Sequence, residues 1–477
     1  MLFNSLHFIL FFIIVTSLYF GLPHKYRWFM LLVASSYFYM AFVPIYILIL
    51  GGTIVVDYFA GIWIENAKGR NRNYLLGLSL FANIAVLAVF KYYNFLNDNL
   101  SAFLGALGYE NSFPYLSILL PIGLSFHTFQ AMSYTIEVYR GNQKAERHFG
   151  VYALYVMFYP QLVAGPIERP QNMLHQFYEK HYFEITRVIE GLKIMLWGFF
   201  MKLVIADRLA IYVNATYNNP EKHSGMTLAV ATVFFAFQIY CDFAGYSNIA
   251  IGAAKVMGFK LMTNFNRPYF AKSISEFWKR WHISLSSWFK DYLYISLGGN
   301  KVSIPRWYFN LFIVFVISGL WHGANWTFII WGAINGFYLV FAILTGDIRA
   351  RIGKALHLNK HRNINSVVQI LTTFVLACFA WIFFRANSIH DASLIVSQIF
   401  TFSGPLYIGE LQQFAYCIAA ILFLLVIEFS QEYFALHSVL PFKSANWFKE
   451  QLAYGILVIL ILMLGVFDSS QFIYFQF

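Results

Sequence analysis

A chain of 477 residues that is 59% hydrophobic and only 12% charged cannot cover a soluble surface, because soluble domains carry about 25% charge. Its 53 Phe, 32 Tyr and 12 Trp suit helices whose ends rest at membrane interfaces, so the expected fold class is an all-α polytopic membrane protein. The net charge of +11 is scattered through short gaps between apolar runs. That is the positive-inside pattern, and no nucleic-acid partner is expected. Cys241, Cys378 and Cys417 lie far apart in apolar stretches, which gives neither a disulfide framework nor zinc spacing; no metal is expected.

About 20 apolar residues cross a ~30 Å hydrocarbon core as a helix. Candidate spans fall at residues 3–20, 28–50, 53–64, 74–92, 115–136, 188–213, 226–251, 307–320, 326–344, 367–384, 412–429 and 452–467. The first has no basic residue before it and no good cleavage site after it, so it reads as a helix rather than a signal peptide. Basic gaps at 24–27, 68–72, 140–147, 255–306 and 349–362 belong on the cytoplasmic side. The gap 94–114 carries Asp98 and Glu110 without Lys or Arg and belongs outside. Twelve crossings with both termini outside satisfy these assignments. One apolar run, 151–163, is short, has basic flanks on both sides, and runs into Pro160 and Pro166. Irregular backbone at membrane depth survives only inside protein or beside a wet cavity. A re-entrant segment is expected there, with Gln161 lining the cavity.

The stretch 264–301 is too charged to span and too aromatic to be a solvated loop. Ser273-Ile274-Ser275-Glu276 reads as a capping box. Phe270, Ile274, Phe277, Trp281, Leu285, Trp288 and Tyr292 then recur at helical spacing, with Lys272, Lys279, Arg280 and Lys290 among them. The pattern is an amphipathic helix in the membrane interface, either a plain anchor or the seat of His282 at its centre. Further on, the 14 apolar residues 307–320 reach only about 21 Å. Trp321-His322-Gly323-Ala324-Asn325 is therefore expected to break the helix inside the bilayer. An ionisable residue at that depth is a functional candidate, and an imidazole able to accept a proton suits a general base.

Two further polar stripes stand out. His127 accompanies Ser125, Thr128, Gln130, Ser133 and Thr135, the pattern of interhelical hydrogen bonding. Gln238, Asp242, Tyr246 and Ser247 either line a tunnel or join helices. No Gly-x-Ser-x-Gly elbow, phosphate loop or clustered metal ligand set occurs.

At PIGLSFHTFQAMSYTIEVYRG, YPQLVAGPIERP, QIYCDFAGYSNIAIG, NFNRPYFAKSISEFWKRWHISLSSWFKDYLYISLGGN and SGLWHGANWTFIIWGAINGFYL, the chain resembles the membrane-bound O-acyltransferase family, in its bacterial alginate O-acetyltransferase-like branch. These motifs run in family order from 121 to 339. The resemblance implies one membrane-embedded domain over 1–477, with about 11–12 transmembrane helices, re-entrant segments and a central catalytic tunnel. Within it, 1–120 are N-terminal helices, 121–345 the catalytic core with interfacial helices 264–301, and 346–477 the C-terminal helices and tail. His322 would be the catalytic histidine, and His282 a second signature histidine on the cytoplasmic approach.

The implied reaction takes an acetyl group from cytoplasmic acetyl-CoA, in the cell inner membrane, toward a surface polysaccharide such as alginate, peptidoglycan or another exopolysaccharide. A periplasmic SGNH-type partner would complete the transfer. Lys279, Arg280 and Lys272 would then hold CoA phosphates, or else anionic membrane lipid, and Trp321 or Asn325 could donate to the developing oxyanion. The tail ends Phe472-Ile473-Tyr474-Phe475-Gln476-Phe477, and Tyr474 is a candidate acyl relay, or else an interfacial anchor. Acceptors other than a glycan, D-alanine as the acyl group, a transporter or flippase, and a structural scaffold are the competing readings.

Overall fold

The computed structural model describes residues 1–117, 121, 123–163, 165–357, 360–434 and 446–467; Tyr474 lies outside them. The described residues form helices and no strand. They divide into two compact units, one of Met1–Met195 with Ile249–Met262, the other of Leu196–Asn248 with Thr263–Phe477.

Eight described helices are long and apolar enough to cross a membrane: Pro44–Asn66, Arg70–Ala106, Gly225–Met257, Ile304–His322, Trp326–Leu344, Arg362–Arg385, Leu411–Tyr433 and Trp447–Leu464. Leu6–Gly21 is apolar but shorter. Elsewhere the boundaries move for local reasons. The expected run 28–50 is divided, because helix His24–Met40 stops and Pro44 opens the next helix, proline being tolerated in a first turn. The expected span 53–64 thereby lengthens. Of the run 115–136, only Leu124–Arg140 is helical among the described residues. The acidic gap 94–114 is not all loop, since a π turn at Ala88–Tyr92 carries the helix on to Ala106.

In the first unit, Asp57 is buried and accepts from Ser79 Oγ at 2.7 Å and Asn83 Nδ2 at 2.8 Å, both on helix Arg70–Leu87. That satisfies a carboxylate in a place where water does not reach. The run 151–163 becomes two short buried helices, Phe149–Met157 and Tyr159–Leu162. Nine residues reach only about 14 Å, too little to cross.

The second unit is built around aromatic side chains. Its sharpest element is the hairpin of helices Ile304–His322 and Trp326–Leu344. A Cβ on Gly319 would lie 2.2 Å from the Phe328 carbonyl oxygen, and one on Gly332 2.3 Å from that of Phe315. The two backbones therefore touch, the close approach that small residues allow between membrane helices. This hairpin corrects one expectation. Its first helix starts three residues before Trp307, at Ile304 with Pro305 in the first turn, and has 19 residues, or about 28 Å. His322 ends a helix of spanning length rather than interrupting a short one.

Candidate active site

His322 is the last residue of its helix and is 5% exposed. Gly323 is extended, and the Asn325 side chain caps the next helix by accepting from the Thr327 amide at 3.0 Å. The His322 ring packs edge-on against Trp321 at 4.9 Å, Trp331 at 5.0 Å and Phe384 at 5.3 Å between centroids. Trp331 comes from the return helix of the hairpin, and Phe384 from helix Arg362–Arg385.

His282 is seated differently. The capping box forms, with Ser273 Oγ accepting from the Glu276 amide at 3.2 Å, but the helix it opens lasts only over Ile274–Arg280. The continuous helix expected through 292 is broken at His282, whose φ of 41° and ψ of 56° lie in the left-handed region. A second short helix, Ile283–Trp288, follows and runs into a π turn at Phe289–Tyr294. The break has a partner. The non-helical stretch after helix Gly225–Met257 runs alongside, with the Asn266 amide donating to Arg280 O at 2.9 Å and the Ile283 amide donating to Asn264 O at 2.8 Å. Such a backbone persists only where its surroundings hold it.

The Asn264 side chain, fully buried, enters this break. Its Oδ1 lies 3.1 Å from His282 Nδ1 and accepts from Ser284 Oγ at 2.9 Å and the Ser284 amide at 3.3 Å. Its Nδ2 donates to Ser247 Oγ at 3.1 Å. Phe243 packs edge-on to the His282 ring at 4.5 Å, and Phe265 lies at 6.3 Å.

The two histidines meet across one indole. Trp321 is 4.9 Å from His322 and 6.5 Å from His282 between ring centroids. The other candidates have settings of their own. Lys279 is exposed and lines a cavity of about 420 Å³ together with Lys290, Trp278, Ile283, Ser286 and Phe315. Arg280 is committed elsewhere, donating to Glu276 at 2.7 Å and Glu432 at 2.9 Å, while Lys272 is exposed. Asp242 is buried and forms an ion pair with Lys202 at 2.6 Å, and Lys202 also meets Asp207 at 2.7 Å. Gln238 is buried on the same helix as Asp242. Gln161 belongs to the other unit, where its Nε2 donates to Tyr155 O at 2.6 Å.

A family model described as "MBOAT, membrane-bound O-acyltransferase family" matches residues 147–384. The protein named "Probable alginate O-acetylase AlgI" from Pseudomonas aeruginosa is 38% identical over 418 residues, covering 87% of this chain and 77% of its own. The chain belongs to the membrane-bound O-acyltransferase family. The Helicobacter pylori protein named "Peptidoglycan O-acetyltransferase" is 35% identical over 401 residues, 78% of this chain and 74% of its own. A more distant relative, the "Teichoic acid D-alanyltransferase" of Streptococcus thermophilus, is 30% identical over 248 residues, 47% of this chain and 57% of its own.

Within this acyltransferase the residues that sequence reasoning passed over are Asn264, Ser284, Trp331 and Phe384. The aromatic residues look like any others in a chain with so many. Asn264 opens the interfacial stretch, and nothing in its neighbours announces that its amide turns back to a histidine 18 residues on.

Proposed function

We propose that this acyltransferase moves an acetyl group from cytoplasmic acetyl-CoA across the inner membrane for O-acetylation of a cell-surface polysaccharide, with a periplasmic SGNH-type protein completing the transfer. All 477 residues act as one membrane-embedded domain. The observation that carries the reading is the meeting of His282 and His322 across Trp321, in a chain whose relatives are named for O-acetylation of alginate and peptidoglycan.

In this reading a neutral His322 takes the proton of an acceptor hydroxyl as that oxygen attacks the thioester carbonyl; the CoA thiolate then leaves. The Trp321 indole or the Asn325 amide NH₂ donates to the developing oxyanion; Asn325 Oδ1 is already used as a helix cap. Lys279, in the lining of its cavity, attracts CoA phosphate as a mobile point charge. Arg280 and Lys272 contribute less, the first because of its carboxylate partners. Enclosure by aromatic rings excludes water and suppresses thioester hydrolysis. Tyr474 receives the acyl group on the outer side as a phenolic ester before the partner takes it.

The test is CoA release by the purified protein in nanodiscs, with partner and glycan supplied. Wild type should turn over acetyl-CoA, and a folded His322→Ala protein should be slower by on the order of 100-fold or more. Equal rates would remove His322 from the chemistry. A wild type that stays silent with every component present would sink the acyltransfer scheme.

A further inference from the structure

The geometry points to Asn264 as the positioning residue that sets which nitrogen of His282 carries the proton and holds its ring against Phe243, an inference that rests on the acyl-transfer reading above with a neutral His282 as its second catalytic histidine. The logic lies in donors and acceptors. A backbone amide can only donate, so the Asn264 atom that meets the Ser284 amide at 3.3 Å is oxygen. The same oxygen lies 3.1 Å from His282 Nδ1, so that nitrogen must carry a hydrogen and donate it. The neutral ring then presents Nε2 as its basic nitrogen.

The amide cannot flip to offer NH₂ instead. The Ser247 hydroxyl at 3.1 Å could pair with either end, but the reverse orientation would set two donors against each other at the Ser284 backbone amide. Asn264 also bonds through its backbone, accepting from the Ile283 amide, so one residue fixes the left-handed turn, the ring plane and the tautomer of His282. The imidazole is clamped between Asn264 and Phe243, with Phe265, Trp321 and the Ser284 hydroxyl, 3.5 Å from Nδ1, also beside it. None of these groups is charged. His322 stands beyond Trp321, and Asp242, next to Phe243 in the chain, is paired with Lys202.

Two substitutions separate this role from simple packing. Asn264→Asp keeps the oxygen acceptor but adds a charge that favours the imidazolium. The acid limb of its pH–rate profile should move up by about one pH unit, with wild-type kcat regained on the alkaline side and KM for acetyl-CoA within about threefold of wild type. Asn264→Leu removes the acceptor, and its kcat should fall by on the order of 100-fold at every pH. Thermal unfolding in nanodiscs checks that both proteins fold.

A readout free of turnover is ¹⁵N solid-state NMR of histidine-labelled protein in lipid, with the His282 signal assigned by its loss in His282→Asn. Wild type should show Nδ1 protonated and Nε2 bare. An Nε2-protonated signal, or an Asn264→Asp protein with an unmoved profile, would overturn the inference. If wild type turned over no thioester, the acyl-transfer reading would fall, and the NMR signal alone would decide the tautomer.

Discussion

Three charged side chains share one buried space at Lys202, where a single ammonium faces Asp207 and Asp242. Removing the cation strands two carboxylates away from water, and breaking such a pair typically costs about 3–5 kcal/mol. Lys202→Met should therefore unfold at markedly lower denaturant than wild type, while Asp242→Asn should lose less because Asp207 still pairs with the lysine. The interfacial cations divide in the opposite sense. Lys279→Ala should raise KM for acetyl-CoA several-fold without lowering the unfolding temperature. Arg280→Ala should lower that temperature, since Glu276 loses its ion-pair partner and Glu432 is left with Arg267 alone. Steady-state kinetics and thermal scans on the two proteins check this contrast. At this scale His322 and Asp242 stand out in the sequence as polar residues in apolar runs, and His282 as the centre of an amphipathic stretch. The sequence is silent about Asn264 and about which cation would be paired, because both depend on contacts between distant segments.

The hairpin whose first helix ends in His322 depends on backbones in contact at Gly319 and Gly332. An added methyl there meets main chain, which cannot swing aside, so Gly319→Ala should cost about 1–3 kcal/mol and also reduce turnover by displacing His322. Gly455, within helix Trp447–Leu464, has open space around its missing side chain, and Gly455→Ala is the matched control that should lower neither property. The Gly332 to Gly336 spacing is a legible mark of such a crossing. The helix ends were harder to read. Apolar run length misjudged Ile304–His322 because a first turn can carry proline and polar residues and still be helix. The interruption at His282 had only a faint mark, because histidine enters the left-handed region more often than most side chains but far less often than glycine.

Across the whole chain, the class of fold followed from composition, since so few charges leave no alternative to a lipid-facing surface. Side chains such as Leu10, Phe81, Val426 and Met463 are exposed accordingly. Which loops face which compartment is testable by labelling. Cys241, Cys378 and Cys417 are all buried, so a membrane-impermeant maleimide should leave the unmodified chain untouched. In intact spheroplasts, Glu110→Cys should then react, whereas Lys144→Cys should react only after permeabilisation. The reverse pattern would invert the assigned orientation.

The left-handed backbone at His282 also bears on how its variants are read. Alanine has no side-chain means of favouring that conformation, so His282→Ala would combine loss of the imidazole with a reshaped turn, and a dead protein would be uninformative. Asparagine adopts the same backbone readily and glycine freely. A substitution series confined to those two residues would leave the loop's shape alone and report on the ring by itself.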